Sequence, residues 1–122
     1  VVPAMVASGR GRVVLFAAAG ADRQRAVLRA PAYFAAKAAL IQMGRSLALE
    51  VAAAGVTVNV ISPGLIDHPH SHRESQARML DKVPLGRVGQ TDDVVAMVRY
   101  LLSAEASYVT GQVLTVDGGL QA

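Results

Sequence analysis

A long helix-forming segment between two apolar, β-branched runs limits the folds open to this chain. Every residue from Ala32 to Ala54 tolerates a helix apart from Gly44 and a few β-branched positions, and Gly55 supplies a stop. The runs Val13 to Ala19 and Val56 to Ile61 on either side are typical of buried strands. A strand, a helix and a strand in this order form the crossover unit of a parallel sheet, so the sequence predicts an α/β fold.

The remaining elements follow from turn residues and short apolar runs. The long helix is nearly apolar all round, so we expect two buried faces, one on its own sheet and one on another helix or subunit. Elsewhere the sequence predicts the last turns of a helix over Val1 to Ser8, a short helix over Ser75 to Lys82 and a strand over Val113 to Val116. It also predicts a helix that is capped by Thr91 and runs to about Ser103, with Asp92 and Asp93 at its positive end.

Composition and charge exclude several classes of partner. The chain is 52% hydrophobic and 17% charged, which is typical of a folded domain. Its net charge of +3 comes from scattered arginines, so no nucleic-acid partner is predicted. The longest apolar stretch, Ala30 to Leu49, contains Lys37 and Arg45 and falls short of a clean span of about 20 residues, so no membrane segment is predicted. The lack of cysteine agrees with a cytoplasmic location.

Tyr33 and Lys37 form a candidate acid/base pair. They stand four residues apart near the start of the long helix, which places their side chains on one face, a turn apart. A cation within about 4 to 6 Å favours the ionised form of a phenol, which can then serve as general acid and base. The same spacing is common on helices without any catalytic role, so the pair alone leaves a structural interpretation open.

The order of motifs around the pair is more specific. The chain runs from the first strand through a loop to Tyr33-Phe-Ala-Ala-Lys37, the small-residue helix, the strand Val56 to Ile61, the Pro63-Gly64 turn, and finally Thr110 to Gly119. This ordered set covers essentially all 122 residues and closely resembles the short-chain dehydrogenase/reductases, most of all the 3-oxoacyl-(acyl-carrier-protein) reductases. The resemblance implies a Rossmann-like, doubly wound parallel sheet in three α/β/α layers, of which this chain is the C-terminal half.

The resemblance also implies a reaction and roles for individual residues. Such enzymes interconvert a small-molecule carbonyl and a secondary alcohol with NADP or NAD as cofactor. Tyr33 would pass a proton to or from the substrate oxygen, and Lys37 would hold the nicotinamide ribose. The Pro63-Gly64 turn would lie beside the nicotinamide, and the backbone at Ile66 would meet its carboxamide. The long helix and the last strand resemble the family's subunit contacts, which implies a homodimer or homotetramer.

One catalytic position departs from the family pattern. Ala18 stands where the family has a catalytic serine, and no Ser or Thr occurs from Gly9 to Arg45 that a small shift of register could bring into place. Losing one such hydrogen-bond donor typically costs about 2.7 to 4 kcal/mol of transition-state stabilisation. Asp22 or Gln24 on the following loop are candidate substitutes. A non-catalytic relative that uses the fold for binding or assembly is therefore an alternative interpretation.

The nucleotide-phosphate site is missing from the sequence. Gly9-Arg-Gly11 is the only Gly-x-Gly, and it precedes a strand, whereas a pyrophosphate-binding turn follows one. We therefore expect residues 1–122 to form a single partial domain, the catalytic and substrate-side half, without the nucleotide-binding half. The start at Val1, without an initiator Met, agrees with a piece of a longer protein.

Three alternating histidines fall in the least regular stretch of the sequence. His68, His70 and His72 would share one side of a strand and could bind a transition metal there. His68 also occupies a position where the family usually has Thr. Pro69 and the lack of an ordered acidic neighbour favour a substrate loop, so no metal site is predicted.

Overall fold

The computed structural model describes residues 1–23, 30–69 and 73–122. The helices are α1 (Val2–Ala7), α2 (Pro31–Val51), α3 (Arg73–Leu80) and α4 (Thr91–Leu102), with short 3-10 turns at Ala52–Ala54 and Ala104–Ala106. The strands are β1 (Gly11–Phe16), β2 (Val56–Pro63), β3 (Ile66–Asp67), β4 (Gly89–Gln90) and β5 (Val113–Val116). Within these residues, no helix combines the length and apolar character needed to cross a bilayer.

The main sheet is parallel and has β2 at its centre. Its strand order is β1-β2-β5. The register pairs Gly11 with Val56 at one end of β1 and Phe16 with Ile61 at the other, while Val60 pairs with Val113 of β5. Parallel neighbours need long crossover connections, which α2 supplies between β1 and β2, and α4 precedes β5. The second sheet is the short parallel pair β3-β4.

Helices cover both faces of the main sheet. On one face, Ala48 and Val51 of α2 pack with Val58 of β2. On the other, Val94 and Leu101 of α4 pack with Ile61. The side chains of a strand alternate between faces, so β2 contributes to both layers and is buried from Val56 to Ser62. These three layers confirm the predicted α/β, Rossmann-like fold.

The long helix ends where the sequence predicts, but only one of its faces is buried. A 3-10 turn continues α2 to Ala54, and Gly55 stops it in the left-handed region at φ +72°. The buried residues of α2 are Ile41, Gly44, Ala48 and Val51. Met43 is 53% exposed and Leu49 85% exposed, so the second face that was predicted to be buried has no cover among the described residues.

Two predictions need correction. The first strand was predicted to be buried on both faces up to Ala19, but β1 ends at Phe16 and is only partly buried, because it lies at the edge of the described sheet. Thr91 was predicted as the cap of α4, but Gln90 occupies that position. The backbone N–H of Gln90 donates to Oδ2 of Asp93 at 2.7 Å. The side chain of Asp93 thus caps the first turn of α4, the helix to which it belongs.

Candidate active site

Tyr33 and Lys37 lie side by side in the first turns of α2. Pro31 opens the helix, following Ala30 in the left-handed region at φ 52°. The Nζ of Lys37 is 5.6 Å from the centroid of the Tyr33 ring, within the range of a cation–π contact. Tyr33 is half exposed (50%). The predicted proximity of the two side chains is confirmed, and their catalytic role stays a prediction.

Lys37 is anchored to the carboxyl end of β1. Its Nζ donates a hydrogen bond to the carbonyl oxygen of Phe16 at 2.7 Å. The N–H groups of Ala17 and Ala19 donate to β2, and the orientation of the backbone alternates along a strand, so the Phe16 carbonyl points away from β2. The ammonium therefore lies at the carboxyl edge of the sheet, where open α/β sheets bind their ligands.

Ala18 occupies the carboxyl end of β1 without a hydroxyl. Its neighbours bond to β2, with the Ala17 N–H donating to Ile61 O at 2.8 Å and the Ala19 N–H to Pro63 O at 2.9 Å. The Ala18 side chain is partly buried against an apolar cluster that includes Ile41. This position thus contributes a methyl group to packing and no hydrogen-bond donor to a substrate.

Of the two candidate substitutes for the missing hydroxyl, only Asp22 lies within the described residues, and it lines no cavity together with Tyr33. Asp22 is exposed and lines two cavities, of about 410 and 210 Å³. Neither Tyr33 nor Lys37 is among the residues that line these cavities. Gln24 lies outside the described residues.

The Pro63-Gly64 turn lies between the carboxyl ends of β1 and β5. The N–H of Gly64 donates to Val116 O at 2.9 Å, and Pro63 O accepts from Ala19. A Cβ on Gly64 would be 2.4 Å from the Cβ of Asp117, so only glycine fits here without displacing the neighbouring chain. Glycine at this position thus lets the turn after β2 lie directly against Asp117, at the same carboxyl edge of the sheet where Lys37 lies.

Ile66 is held in the short sheet β3-β4. It pairs with Gly89, whose N–H donates to Leu65 O at 2.9 Å. A Cβ on Gly89 would be 2.6 Å from the Cδ1 of Ile66, so the absence of a side chain at Gly89 leaves room for Ile66. The Ile66 carbonyl accepts a hydrogen bond from Nε2 of Gln76 in α3 at 3.1 Å. Sequence reasoning missed Gln76, because no motif or spacing distinguishes it from an ordinary surface residue.

The position of β4 is reinforced by an ion pair. Both terminal nitrogens of Arg87 donate to Asp93, at 2.7 and 2.9 Å. The hydrogen bond from Arg87, with a further one from the Gln90 backbone, holds the pKa of the Asp93 carboxyl well below its ordinary value. Asp93 therefore has a structural role at the start of α4, as predicted for the acidic residues there.

The histidines are only partly within the described structure. His68 is exposed beside Pro69, and His70 and His72 lie outside the described residues. In the part of the chain that the structure describes, no group of three or more His, Cys, Asp or Glu residues could hold a metal ion. The substrate-loop interpretation of the three histidines stays a prediction.

Comparison with known proteins is consistent with this arrangement. The family profile described as Enoyl-(Acyl carrier protein) reductase matches residues 1–121. The 3-oxoacyl-(acyl-carrier-protein) reductase FabG of Salmonella typhimurium is 45% identical over 91 residues, which cover 72% of this chain and 37% of that protein. The chain belongs to the short-chain dehydrogenase/reductase family and is similar to its 3-oxoacyl-(acyl-carrier-protein) reductases.

Solved structures show the same fold with bound nicotinamide cofactors. A 3-oxoacyl-(acyl-carrier-protein) reductase of Brucella melitensis with bound NAD is 33% identical, with a TM-score of 0.88, and the match covers 99% of this chain and 45% of that one. A protein of Agrobacterium tumefaciens assigned as a 2-deoxy-D-gluconate 3-dehydrogenase, with bound NADP, is 34% identical with a TM-score of 0.88, covering 98% of this chain and 50% of that one. The chain thus spans half or less of the length of these relatives.

Proposed function

We propose that the protein containing this chain is an NAD- or NADP-dependent oxidoreductase that interconverts a carbonyl and a secondary alcohol. Residues 1–122 would be its catalytic and substrate-side half, a single partial domain. The proposal is supported by two features that lie at the same carboxyl edge of the parallel sheet: the Tyr33–Lys37 pair, anchored to the end of β1, and the Pro63-Gly64 turn at the end of β2. Ligands of open α/β sheets bind at this edge.

In this proposal Tyr33 moves the proton. During reduction the Tyr33 hydroxyl donates its proton to the carbonyl oxygen of the substrate, and during oxidation the phenolate takes the proton from the alcohol. Lys37 stabilises the phenolate because its ammonium lies over the same ring. A nicotinamide bound at this edge would supply or accept the hydride.

The residues at the edge fit the nicotinamide half of such a cofactor. The Lys37 ammonium can donate to ribose hydroxyls, and the family resemblance implies that the backbone at Ile66 meets the carboxamide. The sequence has no glycine-rich turn between a strand and a helix to receive a pyrophosphate. We expect the rest of the protein to supply that site and to set the choice between NAD and NADP.

Ala18 favours a second candidate function. Because this position carries a methyl group, the chain lacks one hydroxyl that would hold the substrate oxygen. A non-catalytic relative that binds or assembles with an active subunit needs no such group. The retained pair Tyr33 and Lys37 favours the enzyme, since a protein that moves no proton gains little from placing a lysine over a reachable tyrosine.

The partners follow from the same proposal. We expect a small-molecule carbonyl or alcohol as substrate and assembly into a homodimer or homotetramer. The apolar residues that α2 leaves exposed, Met43 and Leu49, support a subunit contact on this helix. A cytoplasmic location also stays a prediction.

Turnover by the full-length protein tests the proposal. NADH and NADPH oxidation would be followed with 3-oxoacyl thioesters and simple ketones, in the wild type and in Tyr33→Phe. Removing the proton donor should lower the rate at least about 10²-fold. Tyr108→Phe is the matched control, because Tyr108 is fully exposed before the amino end of β5, and it should leave the rate unchanged. If the wild type binds neither cofactor, the proposed oxidoreductase function is contradicted, and a non-catalytic function in binding or assembly is favoured.

A further inference from the structure

A cavity at the amino edge of the main sheet lies at the opposite end of the strands from the proposed active site. It has a volume of about 520 Å³ and is lined by residues near the starts of β1 and β2 and by the segment between α4 and β5. Lys37 and the Pro63-Gly64 turn lie at the carboxyl edge, so the cavity is separate from the site described above. None of the described residues that line the cavity carries a carboxylate.

The guanidinium of Arg12, which lines this cavity, has few partners among the described residues. Its Nη1 donates to the carbonyl oxygen of Gly11 at 2.9 Å, and its Nε is buried without a hydrogen-bond partner. The structure describes no ion pair for Arg12. A guanidinium has five N–H donors, and a buried donor without a partner is costly, the more so in a charged group. This arrangement favours an anion beside Arg12.

Hydroxyl groups from two other segments line the same cavity. Thr57 pairs with Arg12 in the register of β1 and β2, so the two side chains project from the same face of the sheet. The Oγ1 of Thr110 accepts a hydrogen bond from the Val58 N–H at 3.1 Å, which leaves its own O–H able to donate. Ser107, which is exposed, supplies a third hydroxyl. The lining thus brings several donors to the one cation.

We propose that this cavity binds the phosphate group of a small phosphate monoester through Arg12 and these hydroxyls. A phosphate group offers three strongly accepting oxygens, which suits donors that come from three segments of the chain. The cavity is larger than a phosphate ion, and Ala52 and Gly55 line it without polar side chains, which leaves room for the organic part of the ester. The proposal does not depend on the proposed oxidoreductase function.

Titration of the full-length protein with phenyl phosphate and with inorganic phosphate tests the site. Binding would be measured by calorimetry at low salt for the wild type, Arg12→Gln and Thr57→Val. Arg10→Gln is the matched control, because it removes the same charge from an exposed arginine that does not line the cavity. A parallel series would contain NADH, which carries no phosphate monoester and would occupy the proposed cofactor site.

The expected losses of affinity are confined to the cavity. Arg12→Gln should weaken binding of both ligands at least about tenfold, because hydrogen bonds to charged groups are lost. Thr57→Val, which has the same shape without the hydroxyl, should weaken it about three- to tenfold. Arg10→Gln should stay within about twofold of the wild type. Phenyl phosphate should bind more tightly than inorganic phosphate, since its ring buries apolar surface, and NADH should change neither affinity.

Three results would overturn the proposal. The first is a wild type that shows no saturable binding of either ligand, which would mean that Arg12 is only hydrated or that the rest of the protein fills the cavity. The second is an equal loss in Arg10→Gln and Arg12→Gln, which would show a diffuse attraction to positive charge. The third is release of the ligand by NADH, which would place the anion in the cofactor site. Circular dichroism checks that the variants fold, and if Arg12→Gln does not, an unchanged affinity in Thr57→Val decides against the site.

Discussion

Gly64 lies directly against Asp117, so that a Cβ atom added to Gly64 would be 2.4 Å from the Cβ and 2.7 Å from the Cα of Asp117. Asp117 cannot retreat easily, because its carboxylate accepts hydrogen bonds from the N–H groups of Gly119 and Gln121, both at 2.9 Å. The contact therefore joins the turn after β2 to the turn after β5, and neither turn can easily move away from the other. The proposed cofactor edge depends on this close approach.

Gly64→Ala should consequently destabilise the protein by about 1 to 3 kcal/mol, the usual cost of an extra methyl group in a packed site. Gly89→Ala is the matched control. Its Cβ would meet the Cδ1 of Ile66 at 2.6 Å, which is the far end of a flexible side chain that can rotate away. Urea unfolding of both variants checks the difference. A loss in Gly64→Ala no larger than in Gly89→Ala would show that the two turns are not tightly joined.

Lys37→Met should remove activity with little change in stability. The substitution deletes the ammonium over the Tyr33 ring and the hydrogen bond to Phe16 O, which lies near the surface. One such bond contributes about 1 kcal/mol to folding, whereas the phenolate loses the cation that the proposed mechanism assigns to it. Lys37→Arg keeps the charge and should retain part of the activity. Measuring turnover and thermal denaturation on the same variants separates the effect on activity from the effect on stability. A Met variant as active as the Arg variant would contradict the role of the charge.

The elements that follow from local pattern could be predicted from the sequence. The β-branched alternation of β2 predicts its strand, and Gly55 at a left-handed position predicts the end of the long helix. The four-residue spacing likewise predicts that Tyr33 and Lys37 are neighbours, because it depends only on helix geometry. These features can be predicted without knowing which residues pack around them.

The features that depend on tertiary contacts could not be predicted. The bond from Gln76 to Ile66 requires α3 to lie across β3, and no local signal specifies that placement. Leu49 is exposed because none of the described residues packs over it, and the helix pattern alone does not specify which neighbours a helix face has. Gln90, and not Thr91, is the cap of α4 because the Asp93 carboxylate reaches the Gln90 N–H. The sequence pattern is compatible with a helix start at either residue.

The ion pair at the start of α4 predicts a stability effect in acid. The pKa of Asp93 is lower in the folded protein than its ordinary value of 3.8, chiefly because Arg87 donates to the carboxylate. A lowered folded pKa means that the stabilisation is fully present above about pH 4 to 5 and is lost as the pH falls toward the folded pKa. The stability difference between wild type and Asp93→Asn should therefore be constant near neutral pH and shrink below about pH 4.

Urea unfolding from pH 2.5 to pH 7 measures that difference. Asp92→Asn serves as the control, because Asp92 is exposed in the same turn and the structure describes no hydrogen bond to its side chain. Its effect should vary much less with pH. High salt should also weaken the contribution of Asp93, since the pair lies at the surface. A difference that persists unchanged at the lowest pH would mean that Asp93 acts through packing and not through its charge.

Ala18→Ser separates the two candidate functions. If the protein is an enzyme that works without the family's hydroxyl, restoring a donor at the carboxyl end of β1 should raise turnover, by up to about 10²- to 10³-fold if the new hydroxyl reaches the substrate oxygen. Ala19→Ser is the matched control, because it adds the same hydroxyl one residue further on, where the backbone orientation is opposite. Cofactor affinity should stay unchanged in both variants, since neither position contacts the Pro63-Gly64 turn through its side chain in the proposed mechanism. A gain in Ala18→Ser alone would mean that the edge of this sheet still binds a carbonyl substrate next to Tyr33. No turnover in either form, in a variant that folds and binds cofactor, would favour the binding or assembly relative.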